Sequence, residues 1–182
     1  MNKLQRAIFL DRDGVISKKI EGYVLKWEDF EFVPDAIPAL KLLYKTGLPL
    51  FVVSNQSCAN KGLIKFYQAE HIMDMMKYQL QRNNIYIRAS IICPHTAEQK
   101  CSCRKPKPGM LYYLARVHDI CLEDSYIIGD SWSDIQAGFN ANVKYCLLIN
   151  NKPEKMWFDN VIKCDTFLLA AEWAVEKEGD KK

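Results

Sequence analysis

The sequence contains no apolar run that approaches the roughly 18 residues of a membrane-spanning helix. It also shows no internal repeat, low-complexity linker or Gly/Ser-rich hinge, which argues against a division into several domains. The apolar stretch in the first residues, MNKLQRAIFLDRDG, is too short for a signal peptide and runs directly into acidic residues. We therefore expect a cytosolic protein with no membrane partner, built as one domain over residues 1–182, with 175–182 as a flexible tail.

Neither sign of charge dominates the sequence. The net charge is +3, from 25 Lys and Arg against 22 Asp and Glu spread along the chain. This balance argues against nucleic acid as a partner but permits a local pocket for an anion. We also expect a monomer, because core or rim packing is a commoner role than a dimer contact for the aromatic side chains at Trp27, Trp132 and Trp157.

The cysteines are odd in number, seven in all, and unevenly spaced. In a reducing compartment, clustered cysteines bind metal more often than they form disulfides. Three of them lie in CPHTAEQKCSCRKPKPGM, residues 93–110, beside a histidine and just before several cations. The isolated cysteines are expected to be small core residues, namely Cys58, Cys121, Cys146 and Cys164.

Cys93, His95, Cys101 and Cys103 form the pattern C-x-H-x5-C-x-C. Four ligands of this kind fit one tetrahedral Zn²⁺ with no open position, so the predicted zinc is structural rather than catalytic. The loop 96–100 is too short and too polar to build its own core, and zinc can supply the missing binding energy. The alternative interpretation is four unligated side chains.

Short runs rich in Ile, Val and Phe alternate with helix-like segments. AIFL, LPLFVV, ASIIC, YIIG and YCLLI are typical of strands buried on both faces of a parallel sheet. Helices are expected over 64–82, 110–117, 135–140 and 167–176, and another should stop at Gly47. This alternation predicts a Rossmann-like three-layer α/β sandwich with a central parallel sheet, whose active site lies beyond the carboxyl ends of the strands.

Polar residues follow three of the predicted strands. Asp11 and Asp13 end the first in LDRDG, Ser54 begins SNQ after the second, and Asp130 opens GDSWSD after the fourth. A parallel sheet brings these positions to one edge, together with Lys105 from the segment after the third strand. Each motif alone is compatible with an ordinary turn or helix cap. Their combination offers oxygen ligands for Mg²⁺, a hydroxyl and a cation, and therefore predicts phosphoryl transfer.

FLDRDGVI, SNQ, RKPKPGM and GDSWSDIQAG resemble, in this order, the four motifs of the haloacid dehalogenase superfamily of phosphohydrolases. CPH followed by CxCRKPKPGM is similar to the zinc-bearing branch of that superfamily, which contains heptose 1,7-bisphosphate phosphatases and histidinol-phosphate phosphatase domains. The resemblance implies a fold of haloacid dehalogenase type with a zinc-stapled loop. The segments after the first two predicted strands are too short for a large cap domain.

The resemblance also implies roles for the residues at the strand ends. Asp11 would be the nucleophile that forms an aspartyl-phosphate, and Asp13 would protonate the leaving oxygen and then activate water. The Asp11 side chain, the Asp13 backbone carbonyl and Asp130 would hold Mg²⁺. Ser54 would hydrogen-bond the phosphoryl oxygens, and Lys105 would neutralise charge in the transition state.

Supporting and substrate-binding roles are expected around this centre. Asp134 would orient Lys105 or the metal shell. Arg104 carries a planar fork suited to a second phosphate or a carboxylate on the substrate. Further substrate contacts are expected from Gly22, Tyr23, Asn55, Gln56 and Lys61.

The stretch EGYVLKWEDFEFVPDAIPAL resembles the heptose bisphosphate branch more than the histidinol-phosphate branch. We therefore expect a small phosphorylated sugar as substrate, losing its C7 phosphate in surface-polysaccharide precursor synthesis. After N-Q, however, SCANKG replaces the usual S-G-I-A-R-G, with Cys58 for glycine and Lys61 for arginine. Lysine cannot make the bidentate phosphate contact of arginine, so these two positions leave more than one substrate possible. The alternatives are another small phosphate such as histidinol phosphate, and a non-catalytic metal-binding regulatory domain that keeps the fold.

Overall fold

The computed structural model of the protein describes residues 4–149 and 161–179. Among these residues, the strands form one parallel sheet in the order β3-β2-β1-β4-β5-β6. The strands are β1 Ile8–Leu10, β2 Leu50–Asn55, β3 Ile87–Cys93, β4 Tyr126–Gly129, β5 Tyr145–Ile149 and β6 Val161–Cys164. The helices are α1 Ala36–Lys45, α2 Phe66–Gln81, α3 Gly109–Val117, α4 Trp132–Asn140 and α5 Phe167–Gly179.

Alternate residues of the central strands enter two separate cores. Along β1, Ile8 and Leu10 pack into the core beneath α1, α2 and α5, whereas Phe9 packs into the core beneath α3 and α4. Along β2, Leu50 and Val52 belong to the first of these cores. Helices therefore cover both faces of the sheet, which confirms the predicted three-layer α/β sandwich.

The sheet reverses its direction of winding between β1 and β4. Strand β1 pairs with β2 on one side and with β4 on the other, and the chain proceeds outward from each of them. At such a switch point, the loops that follow the two strands separate and leave a crevice at their carboxyl ends. Asp11 and Asp130 are the first residues after these two strands, so the crevice opens beside both carboxylates.

Several predicted boundaries agree closely with the structure. Helix α1 ends at Lys45, and Gly47 adopts the left-handed φ of +78° that is common just past a helix end. The helix predicted over 64–82 begins at Phe66, and the one predicted from 135 begins earlier, at Trp132. The earlier start follows from the cap at Ser131 described below.

Two elements differ from the expectation. Strand β6 was not predicted, because VIKC is short and contains a lysine. Helix α5 continues to Gly179, so residues 175–179 are helical rather than the start of a flexible tail. Glu178 explains this extension, since it pairs with Arg6 at 2.8 Å and accepts a hydrogen bond from Tyr126. Positions 180–182 and Trp157 lie outside the described residues.

The surroundings of the sheet are simple in the part of the chain that the structure describes. The segment between β1 and α1 contains one short 3-10 helix, Trp27–Asp29, and the segment between β2 and α2 contains turns. Neither holds a cap domain. Trp27 and Trp132 pack at the margins of the two cores, as predicted. None of the described helices has the length and apolar character needed to cross a bilayer.

Candidate active site

A cavity of about 270 Å³ lies where the carboxyl ends of β1, β2 and β4 meet. Its lining includes many of the predicted site residues, namely Asp11, Asp13, Gly22, Tyr23, Ser54, Asn55, Arg104, Lys105 and Asp130. A larger cavity of about 950 Å³, between β3, α2 and the segment 25–28, contains none of them. We therefore take the smaller cavity as the candidate active site, because the groups suited to phosphoryl transfer converge there.

Lys105 is the electrostatic centre of this cavity. Its Nζ lies 2.9 Å from Asp11 Oδ1 and 2.5 Å from Asp134 Oδ1, and it donates a hydrogen bond to the Val53 carbonyl at 2.8 Å. Burial opposes the charged form of this lysine. The two carboxylates outweigh burial and raise the pKa of Lys105 above its ordinary value. Lys105 is therefore a fixed cation at neutral pH.

The carboxylates around Lys105 outnumber the buried cations. Burial and the neighbouring Asp134 together raise the pKa of Asp11 to about 7, because Lys105 offsets only part of their effect. Burial also raises the pKa of Asp130. One oxygen from each of Asp11, Asp130 and Asp134 lies within 4.8 Å of the others. A cluster of carboxylate oxygens with excess negative charge fits a divalent cation such as Mg²⁺.

Asp134 connects helix α4 to Lys105. Its Oδ2 accepts hydrogen bonds from the Ser131 backbone N–H at 3.1 Å and from the Ser131 hydroxyl at 2.6 Å, which caps the helix. Its Oδ1 faces Lys105. The helix cap holds Oδ2, and the ion pair with Lys105 is the contact of Oδ1, so this buried carboxylate is placed to orient the lysine.

Two glycines allow carboxylates to approach the backbone closely. Gly14 has a φ of +85°, and a Cβ at this position would lie 2.3 Å from Asp130 Oδ2. A Cβ at Gly129 would lie 2.2 Å from the Cβ of Asp134. A side chain at either position would displace a carboxylate, so both motifs require glycine.

Asp13 faces the cavity and is held from behind by three donors. Arg12 donates to both of its oxygens at 2.9 Å, Ser17 Oγ donates at 3.0 Å, and Gln56 Nε2 donates at 2.7 Å. The sequence did not indicate the Arg12 contact, because adjacent side chains leave an extended strand on opposite sides. Strand β1 ends at Leu10, however, and Arg12 lies in a bend, where its side chain meets that of Asp13.

The SNQ motif organises the cavity through contacts within the protein. Gln56 Nε2 also donates to Ser54 Oγ at 2.8 Å. Asn55 makes a reciprocal pair with the Lys105 backbone, donating to its carbonyl at 3.0 Å and accepting from its N–H at 3.1 Å. Asn55 thereby ties β2 to the lysine segment. The side-chain amides of Asn55 and Gln56, expected to bind substrate, are both engaged by other protein groups.

A lysine that the sequence analysis did not single out lies beside the acidic cluster. Lys19 Nζ is 2.7 Å from Asp130 Oδ2, while the lysine side chain is 63% exposed. Lys19 also lines the cavity. No sequence signal distinguished it, because a lysine in a polar loop is ordinary surface composition.

The predicted entrance residues form one cluster across the cavity mouth. The Tyr23 hydroxyl shares a hydrogen bond of 2.9 Å with Ser57 Oγ, and Lys61 Nζ lies 5.3 Å from the centre of the Tyr23 ring. The contacts from Ser57 and Lys61 lower the pKa of Tyr23. Gly22, with a φ of +89°, turns the chain just before this contact. Lys61 thus stands beside Tyr23, at the rim rather than in the cavity lining.

The four predicted zinc ligands converge in space. Cys103 Sγ lies 3.2 Å from Cys93 Sγ, 3.4 Å from Cys101 Sγ and 3.3 Å from His95 Nδ1. Cys93 Sγ lies 3.6 Å from Cys101 Sγ and 3.5 Å from His95 Nδ1. With Zn–S bonds of about 2.3 Å, the sulfur atoms of a tetrahedral site are about 3.8 Å apart. The donor set therefore has nearly the dimensions of one zinc site.

This cysteine loop fixes Arg104, the residue before Lys105. The Arg104 backbone N–H donates to Cys101 Sγ at 3.3 Å, and its guanidinium Nη1 donates to the His95 carbonyl at 3.0 Å. On the outer side, Asn60 donates to Gln99 at 2.9 Å and joins the loop to the segment after β2. The cysteine loop therefore sets the direction in which Arg104 enters the cavity.

The parallel sheet and its switch point are those of a hydrolase fold of haloacid dehalogenase type. The site agrees with this class, since carboxylates, a hydroxyl and a buried lysine meet at the switch point. A family model for HAD-hydrolase-like proteins matches residues 102–160. The structure is also similar to that of the D,D-heptose 1,7-bisphosphate phosphatase from B. bronchiseptica, complexed with magnesium and phosphate. The two share a TM-score of 0.88 at 27% identity, over 95% of this chain and 99% of the other.

Two relatives are similar along most of their sequences. The chain is 39% identical to the D-glycero-beta-D-manno-heptose-1,7-bisphosphate 7-phosphatase of Helicobacter pylori strain J99, over 92% of this chain and 96% of the relative. It is 37% identical to the D-glycero-alpha-D-manno-heptose-1,7-bisphosphate 7-phosphatase of Campylobacter jejuni, over 82% of this chain and 86% of that relative. The chain belongs to this family of heptose-1,7-bisphosphate 7-phosphatases within the haloacid dehalogenase superfamily.

Proposed function

We propose that the protein is a Mg²⁺-dependent phosphatase that removes the C7 phosphate of D-glycero-D-manno-heptose 1,7-bisphosphate. The observation that carries the proposal is the buried contact between Asp11 and Lys105 beside Asp13, in a family whose members bear this activity in their names. The described loops around the cavity are short, which suits a compact sugar. We assign the reaction to the cytoplasm and to the synthesis of surface-polysaccharide precursors.

Phosphoryl transfer uses the two aspartates in sequence. A carboxylate oxygen of Asp11 attacks the phosphorus, the P–O bond to the sugar breaks, and Asp13 gives its proton to the departing oxygen. Water then attacks the aspartyl-phosphate and gives a proton to Asp13, and the bond from Asp11 to phosphorus breaks to release inorganic phosphate. Both steps leave the protein in its starting state.

Ser54 and Lys105 bind the phosphoryl oxygens during both steps. Lys105 carries a fixed positive charge next to Asp11, where negative charge builds up in the transition state. Ser54 Oγ accepts a hydrogen bond from Gln56, so its own proton points elsewhere and can be donated to a phosphoryl oxygen. Asp134 holds Lys105 in place from the opposite side.

The acidic cluster supplies the ligands for Mg²⁺. The Asp11 side chain, the Asp13 backbone carbonyl and Asp130 would hold the ion. When bound, Mg²⁺ neutralises charge on the phosphoryl oxygens and on the nucleophile. The magnesium and phosphate in the B. bronchiseptica structure support Mg²⁺ as the ion.

The cysteine loop supplies a second, structural metal site. Cys93, His95, Cys101 and Cys103 would hold one Zn²⁺ with four protein ligands, leaving no position for a substrate. Its role is to fix the loop that directs Arg104. We assign to Arg104 the recognition of a group on the substrate that does not react, such as the second phosphate, because its planar fork matches phosphate geometry.

The cavity mouth provides the remaining substrate contacts. We propose that Gly22, Tyr23 and Lys61 bind the sugar or its second phosphate, with Asn55 and Gln56 supporting the cavity floor. Relatives of both anomeric specificities, alpha and beta, are similar to this chain to nearly the same extent. The assay below therefore compares both anomers.

The test is phosphate release with Mg²⁺ from the alpha and beta heptose 1,7-bisphosphates and from histidinol phosphate, in parallel. We expect a preference of at least about 100-fold in kcat/KM for one heptose anomer over histidinol phosphate. Asp11→Asn should abolish release, whereas the exposed Asp74→Asn should not. A preference for histidinol phosphate would refute the substrate, and full activity of Asp11→Asn would refute the nucleophile.

A further inference from the structure

The reaction described above leaves one buried charge without a role. Arg12 is 1% exposed and is the largest of the fully buried side chains in the described residues. It does not line the candidate active site, and its Nη1 faces the Met73 sulfur at 3.9 Å. Burying a guanidinium is costly unless a charged partner compensates for it. The partner of Arg12 therefore indicates why the charge is there.

That partner is Asp13, and the contact is bidentate. Arg12 Nε donates to Asp13 Oδ1 and Arg12 Nη2 donates to Oδ2, each at 2.9 Å. Two parallel hydrogen bonds fix the plane of a carboxylate as well as its distance, which a lysine cannot do. The Asp13 side chain is 28% exposed and lines the cavity. The Ser17 hydroxyl also lies 3.3 Å from the Arg12 carbonyl, so it can turn there and leave one position on Asp13 Oδ1 free for a proton.

Ser17 and Gln56 brace the same carboxylate from other directions. Ser17 Oγ donates to Oδ1, and Gln56 Nε2 donates to Oδ2 while also donating to Ser54. Gln56 is itself buried, at 1% exposed. Asp13 therefore cannot rotate without breaking several hydrogen bonds inside the protein, and Arg12 contributes two of them.

We propose that Arg12 is a positioning residue that sets the Asp13 carboxyl at the angle required for proton exchange with the leaving oxygen and with water. The inference rests on the proposed function, in which Asp13 is the acid and then the base. Arg12 touches neither substrate nor phosphate and acts only through Asp13. Gln56 has the same role through its hydrogen bond to Asp13 Oδ2.

Two kinds of leaving group differ in their need for a proton from Asp13. A sugar oxygen leaves as a poorly stabilised alkoxide and needs the proton from Asp13, whereas p-nitrophenolate can leave without protonation. The later attack of water on the aspartyl-phosphate needs Asp13 as a base in both cases. An enzyme with a misplaced Asp13 should therefore release one equivalent of p-nitrophenol at a normal rate and then turn over slowly.

The experiment uses rapid mixing of p-nitrophenyl phosphate with the parent enzyme, Arg12→Met, Arg12→Lys and Gln56→Leu, with Arg82→Met as the control on an exposed arginine. For Arg12→Met we expect kcat on the heptose bisphosphate to fall about 100-fold, with KM little changed. The first turnover of p-nitrophenyl phosphate should stay within about threefold of the parent, followed by a slow phase with accumulated phosphoenzyme. Arg12→Lys and Gln56→Leu should show the same pattern to a smaller degree.

Other outcomes would overturn the inference. An equal loss in the first and later turnovers would mean that Arg12 supports the cavity as a whole. Unchanged kinetics in Arg12→Met, or full recovery in Arg12→Lys, would mean that the fork has no positioning role. If Arg12→Met does not fold, Arg12→Lys and Gln56→Leu decide the question by the same burst criterion. A parent enzyme that releases no phosphate from the heptose bisphosphate would instead refute the proposed function.

Discussion

The backbone of Gly14 lies against the carboxylate of Asp130. This close approach is possible because glycine has no side chain. A Cβ there would lie 2.3 Å from Asp130 Oδ2, and the φ of +85° disfavours any other residue. Gly47 has a similar φ of +78°, but a Cβ there would have no neighbour within 4 Å. Substitutions at these two glycines therefore distinguish backbone strain, which both share, from displacement of the Asp130 carboxylate, which only Gly14 can cause.

We predict that Gly14→Ala and Gly47→Ala each lose about 1 kcal/mol of stability from the left-handed backbone. Only Gly14→Ala should also lose most of its activity and bind Mg²⁺ more weakly, because Asp130 must move. Denaturant unfolding, phosphate release and calorimetric titration with Mg²⁺ measure the three effects. Equal activity of the two variants would contradict this explanation of Gly14.

Asp11 carries a charge that the fold holds at a cost. Burial first and Asp134 second raise the pKa of Asp11 from its ordinary value of 3.8 to about 7. A group with a raised folded pKa stabilises the fold below its unfolded pKa, and this stability is lost as pH rises through the folded pKa. In Mg²⁺-free protein, the contribution of Asp11 should therefore disappear between about pH 4 and pH 7.

Asp11→Asn removes this titration and should reveal its size. Relative to the parent, we predict that Asp11→Asn is more stable at pH 8 than at pH 5, by an increment of about 3 kcal/mol at most. Added Mg²⁺ should reduce the difference at pH 8, because the ion compensates the carboxylate in the parent. Urea unfolding at both pH values measures the increment, with Asp74→Asn as the control. An increment that does not depend on pH would contradict the raised pKa.

The sequence indicated these residues to different extents for a physical reason. Asp11, Ser54 and Asp130 follow strands directly, and a parallel sheet brings strand ends together whatever the loops do. Arg12 and Lys19 lie where the chain turns, and the direction of a side chain in a turn depends on backbone angles that composition does not reveal. For the same reason, the engagement of the Asn55 and Gln56 amides within the protein was not foreseen.

At the scale of elements, the cysteine loop would connect the proposed zinc site to the proposed substrate contact of Arg104. Lys105 is held independently by Asn55, whereas Arg104 depends on the loop through both Cys101 and His95. Loss of zinc should therefore affect the arginine more than the lysine. This asymmetry predicts a larger change in KM than in kcat.

We predict that the parent binds about one zinc per chain and that Cys101→Ser loses it. In the variant, KM for the heptose bisphosphate should rise about 10-fold, because Arg104 loses its oriented contact with the substrate. Elemental analysis and steady-state kinetics check both statements. Cys121→Ser, at a cysteine outside the cluster, is the matched control. Retained zinc with an unchanged KM in Cys101→Ser would contradict the coupling.

The elements themselves were predictable where a pattern is long or has a chemical marker. The spacing C-x-H-x5-C-x-C indicated the metal loop, and the doubly buried strands stood out as apolar runs. Strand β6 did not, because its short stretch VIKC interrupts the apolar pattern with a lysine. The end of α5 was missed because EKEGDKK is charged, and only a tertiary contact explains why Glu178 is ordered in a helix.

On the scale of the whole molecule, the two ends of the parallel strands differ in function. The carboxyl ends carry the acidic cluster, and the repulsion among its carboxylates opposes folding. At the other end of the strands, Glu178 of α5 contacts Arg6 ahead of β1 and Tyr126 at the start of β4. This contact joins the last helix to the two strands that flank the switch point, so it stabilises the part of the sheet that carries the candidate-site residues.

We predict that Glu178→Gln lowers the free energy of unfolding by about 2 kcal/mol, because a partly buried ion pair and a charge-assisted hydrogen bond are weakened together. The variant should keep the parent kcat and KM, since the contact lies at the amino ends of the strands and the cavity at their carboxyl ends. Glu176→Gln, at an exposed position on the same helix, should change neither quantity. Urea unfolding and phosphate release measure the two properties on the same samples. A loss of activity in folded Glu178→Gln would show that a change at the amino ends of the strands alters the cavity at their carboxyl ends, contrary to this explanation.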